Sequence, residues 1–289
     1  MAPPWKTKDS TGAALPPQHF ILGPSVPRGE LIGIVGAGGI GKTLLACLIE
    51  RTCGPVGFID LDGSIAVLQK QLGEMGLSPQ CLQGVASWEH LIGALESPVF
   101  DSVKNIVIDT GTEAQNLAID STLSRVPLEQ GGKATSIESY GYGKGARYLH
   151  DTWLDLRTAC KNQAAQGRNI ILVMHDMIAK VPNPDGSDFI RWEPNLYQDN
   201  AVSLRNTTIN FLDHLFFIGY DISATGPNPK AGQKHGKATG SGSRTIYCSE
   251  TATCKAKSRR LSDPIPYEYG DDALWRALFP SNTTEPQGV

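Results

Sequence analysis

Apolar residues along this chain come in two rhythms. Short, nearly unbroken runs read as strands buried on both faces: Leu31-Ile32-Gly33-Ile34-Val35, Val56-Gly57-Phe58-Ile59, Asn105-Ile106-Val107-Ile108, Asn169 to Met174, and Leu212 to Tyr220. Between them the spacing turns helical. One helix runs on from residue 42 until Cys53-Gly54-Pro55 stops it, and Ile65, Leu68, Leu72 and Met75 share a face over 65–75. Further helices are expected over 88–95 and 113–123. Over 146–165, Leu149, Trp153, Leu156 and Cys160 are spaced for one face, and Gly167 ends the segment. A short last helix falls over 271–279. Strands alternating with helices predict an α/β fold with a doubly wound, mostly parallel sheet. The later strands have little helix between them, and 245–257 alternates as strands or a hairpin, so an antiparallel extension is expected at one edge.

The segments outside this pattern set the domain organisation. Residues 1–18, rich in Pro, Ala, Ser and Thr, read as a flexible leader, 19–280 as a single domain and 281–289 as a polar tail. Residues 127–145 and 177–206 read as long irregular loops, and 225–244 as a Gly/Pro/Lys loop. Structureless loops of that length are uncommon inside compact domains unless they serve a function.

Composition narrows the classes. With 289 residues, 40% hydrophobic and 19% charged, the chain is an ordinary globular protein. A formal net charge of -3 excludes global attraction to nucleic acid, so any such site must be a local basic patch. The six cysteines form no C-x-x-C pair, which favours reduced thiols over disulfides or zinc. No run of about 18 apolar residues is present, and the N-terminus lacks the apolar core of a secretory signal. A cytoplasmic protein without membrane contact is expected.

The chemistry starts where the first strand ends. Gly36-Ala37-Gly38-Gly39-Ile40-Gly41-Lys42-Thr43, followed by Leu44, is a G-x-x-x-x-G-K-[ST] phosphate loop between an apolar strand and a helix. Its glycines let backbone N–H groups wrap a phosphate chain, and the helix start adds partial positive charge. ATP and Mg²⁺ are the expected cofactors, with Lys42 on the β/γ-phosphates and the Thr43 hydroxyl on the metal. Asp109 closes a buried strand and is expected in the Mg²⁺ shell; the next residue is Thr110, so a water-activating acid must come from elsewhere. Asp62, after the neighbouring strand, is the candidate, and its alternative is an N-cap ahead of Gly63-Ser64. His175 ends another strand, where an imidazole can hydrogen-bond the γ-phosphate or the attacking water.

Cations gather later in the chain. No acidic residue occurs between Ile222 and Ser249, while Lys230, Lys234, His235, Lys237 and Arg244 alternate with Gly and Ser. This reads either as a solvated loop or as a basic contact to a phosphate backbone. Lys255, Lys257, Arg259 and Arg260 form a second cluster, with Lys255 and Lys257 on one face if the segment is a strand. In 177–206, Arg191, Trp192, Tyr197 and Arg205 offer charge and stacking surfaces, the alternative being that Trp192 and Tyr197 pin the loop to the core.

At these residues the chain resembles the RecA-like ATPase core, and in particular the small phage single-strand annealing and recombination proteins of the Sak4 type. Residues 27–36 resemble the lead-in to that core, and Phe58-Ile59-Asp60-Leu61-Asp62 the strand whose final acid activates water. Val107-Ile108-Asp109-Thr110 is similar to the Walker B strand, and Leu172-Val173-Met174-His175 to the strand carrying the γ-phosphate sensor. Cys254-Lys255-Ala256-Lys257 resembles the K-x-K element that completes a neighbouring subunit's site. The resemblance implies a homo-oligomer with active sites at subunit interfaces, single-stranded DNA as a partner and a single-strand-binding protein as another. It implies DNA contacts in the two long loops, which places Lys133, Lys144 and Arg147 beside Arg191, Trp192 and Arg205. Two other classes fit the same motifs: a ring helicase or other DNA-translocating ATPase, and a nucleotide switch that does not act on DNA.

Overall fold

The five apolar runs are strands, and they lie side by side. The computed structural model describes residues 23–200, 202–224 and 238–280. In chain order the elements are β1 (Leu31–Gly36), α1 (Lys42–Leu48), α2 (Glu50–Cys53), β2 (Val56–Asp60), α3 (Ser64–Glu74), β3 (Gln80–Cys81), α4 (Trp88–Glu96), β4 (Asn105–Asp109), α5 (Gly111–Arg125), α6 (Lys144–Ala165), β5 (Asn169–Val181), β6 (Phe189–Pro194), α7 (Leu204–Phe211), β7 (His214–Ala224), β8 (Ala238–Tyr247), β9 (Ile265–Pro266) and α8 (Ala273–Leu278). The sheet runs β3-β2-β4-β5-β1-β7-β8-β9, with β6 hydrogen-bonded to β5. Neighbours from β3 to β7 are parallel, and β8 and β9 extend the edge antiparallel.

Period-two alternation sorts the core into two layers, one on each side of the sheet. Leu31 and Val35, Ile106 and Ile108, and Ile170, Leu172 and Met174 face a layer built with α4, α5, α6 and α7. Ile32 and Ile34, Val107, and Ile171 and Val173 face the other, built with α1, α3 and α8. Among the described residues no helix is long and apolar enough to cross a membrane.

Three expectations need correction. The segment 177–206 is not irregular: β5 runs on to Val181 and pairs antiparallel with β6, from Asp176 opposite Pro194 to Val181 opposite Phe189. The end of the 225–244 loop, from residue 238, and residues 245–247 are strand within β8, and 245–257 is not a hairpin. After β8 the chain turns at Thr251–Cys254, bridges Trp192 at Cys254 and Leu215 at Lys257, and so ties β6 to β7. The 127–145 loop contains a 3₁₀ turn over Ile137–Tyr140, and α6 begins at Lys144 rather than 146. The leader, the tail and Lys230, Lys234, His235 and Lys237 lie outside the described residues.

The α6 layer turns on one aromatic pair. Trp153 is fully buried, stacks on Trp88 with centroids 5.8 Å apart, and donates its indole N–H to Thr208 Oγ1 at 2.9 Å. Trp153→Ala removes that volume and leaves the buried Thr208 hydroxyl without its donor. A loss of about 3–5 kcal/mol is expected, read as a lower urea midpoint at unchanged slope.

Candidate functional site

The phosphate loop is shaped by what surrounds it. Gly36 sits in register between His175 of β5 and Ile218 of β7, and a Cβ there would lie 2.6 Å from the Ile218 carbonyl oxygen. Gly41 has φ 106°, and a Cβ there would meet Tyr267 Oη at 3.0 Å. Both positions therefore require glycine. A Cβ at Gly38 or Gly39 would meet no protein atom within 4 Å, so these two leave open space along the cleft they line. Ile40 and Leu44 are buried in the α1 layer, so their side chains anchor the loop, and the Ile40 N–H donates to the Ala37 carbonyl at 3.3 Å. The Lys42 side chain is buried, with Nζ donating to the carbonyls of Gly36 at 2.7 Å and Ala37 at 2.8 Å. Burial lowers its pKa, and the charges of Asp109, Asp176 and Asp62 push back.

Asp109, at the C-terminal end of β4, is the second centre. It is buried, and Oδ2 accepts from Thr43 Oγ1 at 2.6 Å and from Ser64 Oγ at 3.1 Å. Burial raises its pKa against the pull of those two hydroxyls. The peptide joining it to Thr110 is cis. Ser64 was not singled out in the sequence. Its signal would have been a hydroxyl in the first turn of the helix that follows the neighbouring strand.

Asp62 and its alternative are separated by geometry. The first amides of α3 are capped by Asp60, whose Oδ1 accepts from Ser64 N and Oδ2 from Ile65 N, both at 3.0 Å. Asp62 is thereby free of that task. It lines the cleft with its Oδ2 3.8 Å from His175 Nε2, and burial, together with Glu113 and Asp60, raises its pKa against the pull of His175 and Lys42. The His175 side chain also lines the cleft, while its carbonyl accepts from Asn195 N at 2.8 Å.

The cleft encloses about 340 Å³, between Gly38, Gly39, Gly41, Lys42 and Thr43 on one side and Asp62, Asp109 and His175 on the other. Tyr269 also lines it, 226 residues or more from the loop in sequence and absent from the sequence expectations. Its donors fit a hard dication bound with phosphate. Among the described residues no cluster of three His, Cys, Asp or Glu side chains could cage a metal alone. A Mg²⁺ ion bound with phosphate needs only one or two protein oxygens, and Thr43 and Asp109 could supply them.

The remaining candidates fare differently. Arg191 is enclosed between Glu193 and Glu250, and Arg205 is buried with Nη1 2.9 Å from Glu193. Both guanidinium groups are spent inside the protein. Lys144 pairs with Glu129 at 2.5 Å. Lys133 and Arg147 are exposed and form no ion pair among the described residues. Trp192 is 40% exposed, whereas Tyr197 is partly buried against the α6 layer, so only the latter pins its segment. Lys255 and Lys257 alternate with the buried Cys254 and Ala256, as the pattern predicts, but neither lines the cleft. Lys255 Nζ instead lies 2.5 Å from Glu250.

Residues 28–260 match a family model described as AAA domain. No curated protein matches the chain. Among solved structures, a KaiC-like protein from the hyperthermophilic archaeon Pyrococcus horikoshii is 14% identical, over 85% of this chain and 88% of that one, with a TM-score of 0.43. The fold assignment rests on the strand order above. The family model covers most of the chain, phosphate loop and Asp109 included: the chain belongs to the AAA-domain family of P-loop nucleoside triphosphatases.

Proposed function

We propose that this chain is a Mg²⁺-dependent ATPase that acts on single-stranded DNA. One observation carries the ATPase reading: Lys42, Thr43, Ser64 and Asp109 converge at the loop, with Asp62 and His175 across the cleft from them. In hydrolysis a water oxygen bonds to the γ-phosphorus while the bond to the β–γ bridging oxygen breaks. The Lys42 ammonium neutralises the charge that grows on the transferred and leaving oxygens. Thr43 and Asp109 would hold Mg²⁺, which would supply further charge neutralisation. Asp62 orients the water and accepts its proton, and His175, 3.8 Å away, stands where it can sense the γ-phosphate.

The DNA reading rests on the hairpin that continues from His175. Ile178, Ile190 and Trp192 are exposed on β5 and β6. Since Arg191 and Arg205 are internally paired, contact there is by stacking on Trp192, with charge supplied by cations such as Lys133 and Arg147. Phage recombination or annealing is the role the resemblance implies for such an activity.

The reading makes three predictions. Lys42→Ala abolishes ATP hydrolysis, and Asp109→Asn raises the Mg²⁺ concentration needed for half-maximal rate; normal turnover in the first variant would overturn the reading. Asp62→Asn binds ATP but hydrolyses it about 10² times more slowly. Because burial raises the Asp62 pKa, its active carboxylate is lost on acidification at a higher pH than for an ordinary aspartate, and the part of the acid limb that Asp62 supplies is missing in the variant. Finally, single-stranded-DNA affinity is measured without nucleotide, with ADP and with a non-hydrolysable ATP analogue. Trp192→Ala lowers affinity in every state, while His175→Ala keeps ATP binding and loses the dependence on nucleotide; a wild-type response in His175→Ala would sink the relay.

A further inference from the structure

Arg244, on β8, is an unusual cation. Among the described residues it forms no ion pair, and its buried Nε and Nη1 have no hydrogen-bond partner. Its guanidinium carbon lies instead 5.7 Å from the ring centroid of Tyr220, 5.9 Å from that of Tyr267 and 5.2 Å from that of Tyr269. A half-buried guanidinium flanked by three ring faces, with two of its nitrogens buried against them, holds those rings in place, because moving them away leaves those nitrogens facing neither water nor a ring.

One of these rings lines the cleft and another braces the phosphate loop from behind. Tyr267 is buried, its amide donates to the Arg244 carbonyl at 2.8 Å, and its hydroxyl donates to the Gly41 carbonyl at 3.0 Å. Tyr269 lines the cleft, and its hydroxyl donates to Gln71 Oε1 of α3 at 3.2 Å. The cleft wall on α3 carries Val67, 85% exposed, so Val67 and the 43%-exposed Tyr269 offer apolar surface beyond the phosphate loop. Apolar surface of that kind suits a flat heterocycle, not a phosphate.

We infer that Arg244 is a positioning residue for nucleotide binding: through its stack with Tyr269 and Tyr267 it sets the wall of the cleft that receives the base. This rests on the reading that the cleft takes a nucleotide. The same stack includes Tyr220, opposite Arg244 on β7, so the wall is built on the β7–β8 pair and not on the loop itself.

Titration calorimetry with Mg²⁺ separates the two ends of the ligand, using ATP and inorganic tripolyphosphate as probes. Arg244→Leu is expected to weaken ATP about tenfold or more while binding tripolyphosphate within twofold of wild type. In steady-state kinetics its loss falls on KM, not kcat, and Arg244→Lys recovers most of the affinity. If Arg244→Leu does not fold, Tyr269→Ala carries the test with the same ATP-only loss. Wild-type ATP affinity in these variants, or equal losses for ATP and tripolyphosphate, would overturn the inference alone. A wild-type protein that binds neither probe would overturn the nucleotide reading as well.

Discussion

The cleft depends on one buried positive charge and the acids that keep it charged. Removing Lys42 from water favours its neutral form, and Asp109, Asp176 and Asp62 oppose that. Three carboxylates around one ammonium also crowd one another, and both Asp109 and Asp62 have raised pKa values, with burial the first cause. Such a cluster is over-supplied with negative charge. A triphosphate alone would add to the excess, and a dication arriving with it would offset part of that added charge. The electrostatics that hold Lys42 ready therefore also favour nucleotide and metal arriving together.

The sheet makes this cluster possible. One strand, β5, separates β1 from β4, so Thr43 in the first turn of α1 reaches across to Asp109. His175 belongs to that intervening strand and stands opposite Gly36. The strands, and Asp109 and His175 at their ends, were legible in the sequence, because strands buried on both faces appear as unbroken apolar runs and open α/β sheets bind ligands at their C-terminal ends; the strand order and the Thr43–Asp109 contact were not. The β5–β6 hairpin was not legible. Its Pro182-Asn183-Pro184-Asp185-Gly186 tip reads as loop, and its strands earn their pairing from contacts distant in sequence, including the Trp192–Cys254 bridge.

The candidate site divides along the same line. Residues 36–44 and the acids at strand ends could be named from local pattern. Which of two nearby acids caps α3 could not: Asp60 and Asp62 both precede it, and only the path of the chain turns Asp60 toward the helix amides. The arginines failed for a similar reason. A guanidinium in a polar segment looks available until its carboxylates arrive from elsewhere, as Glu250 does for Arg191. Tyr269 carries no local signal at all, since it reaches the cleft only after the chain has crossed the whole sheet.

These ion pairs change what the hairpin is. A segment ordered only by its ligand would carry a large entropic cost into binding. Here β5 runs unbroken through His175 to Val181, and Glu193 fastens β6 to Arg205 of α7. Glu250 is shared, since it accepts from Arg191 of the hairpin and from Lys255 of the K-x-K segment. Glu250 is 47% exposed, and a pair with so exposed a partner is worth at most about 1 kcal/mol, so Lys255 exchanges it cheaply for a stronger anion, while Arg191 stays held by Glu193 as well. A phosphate that drew Lys255 away would leave Glu250 to Arg191 alone. The hairpin is thus a stiff extension of the strand that carries His175, with its outer ion pair open to competition from the K-x-K side.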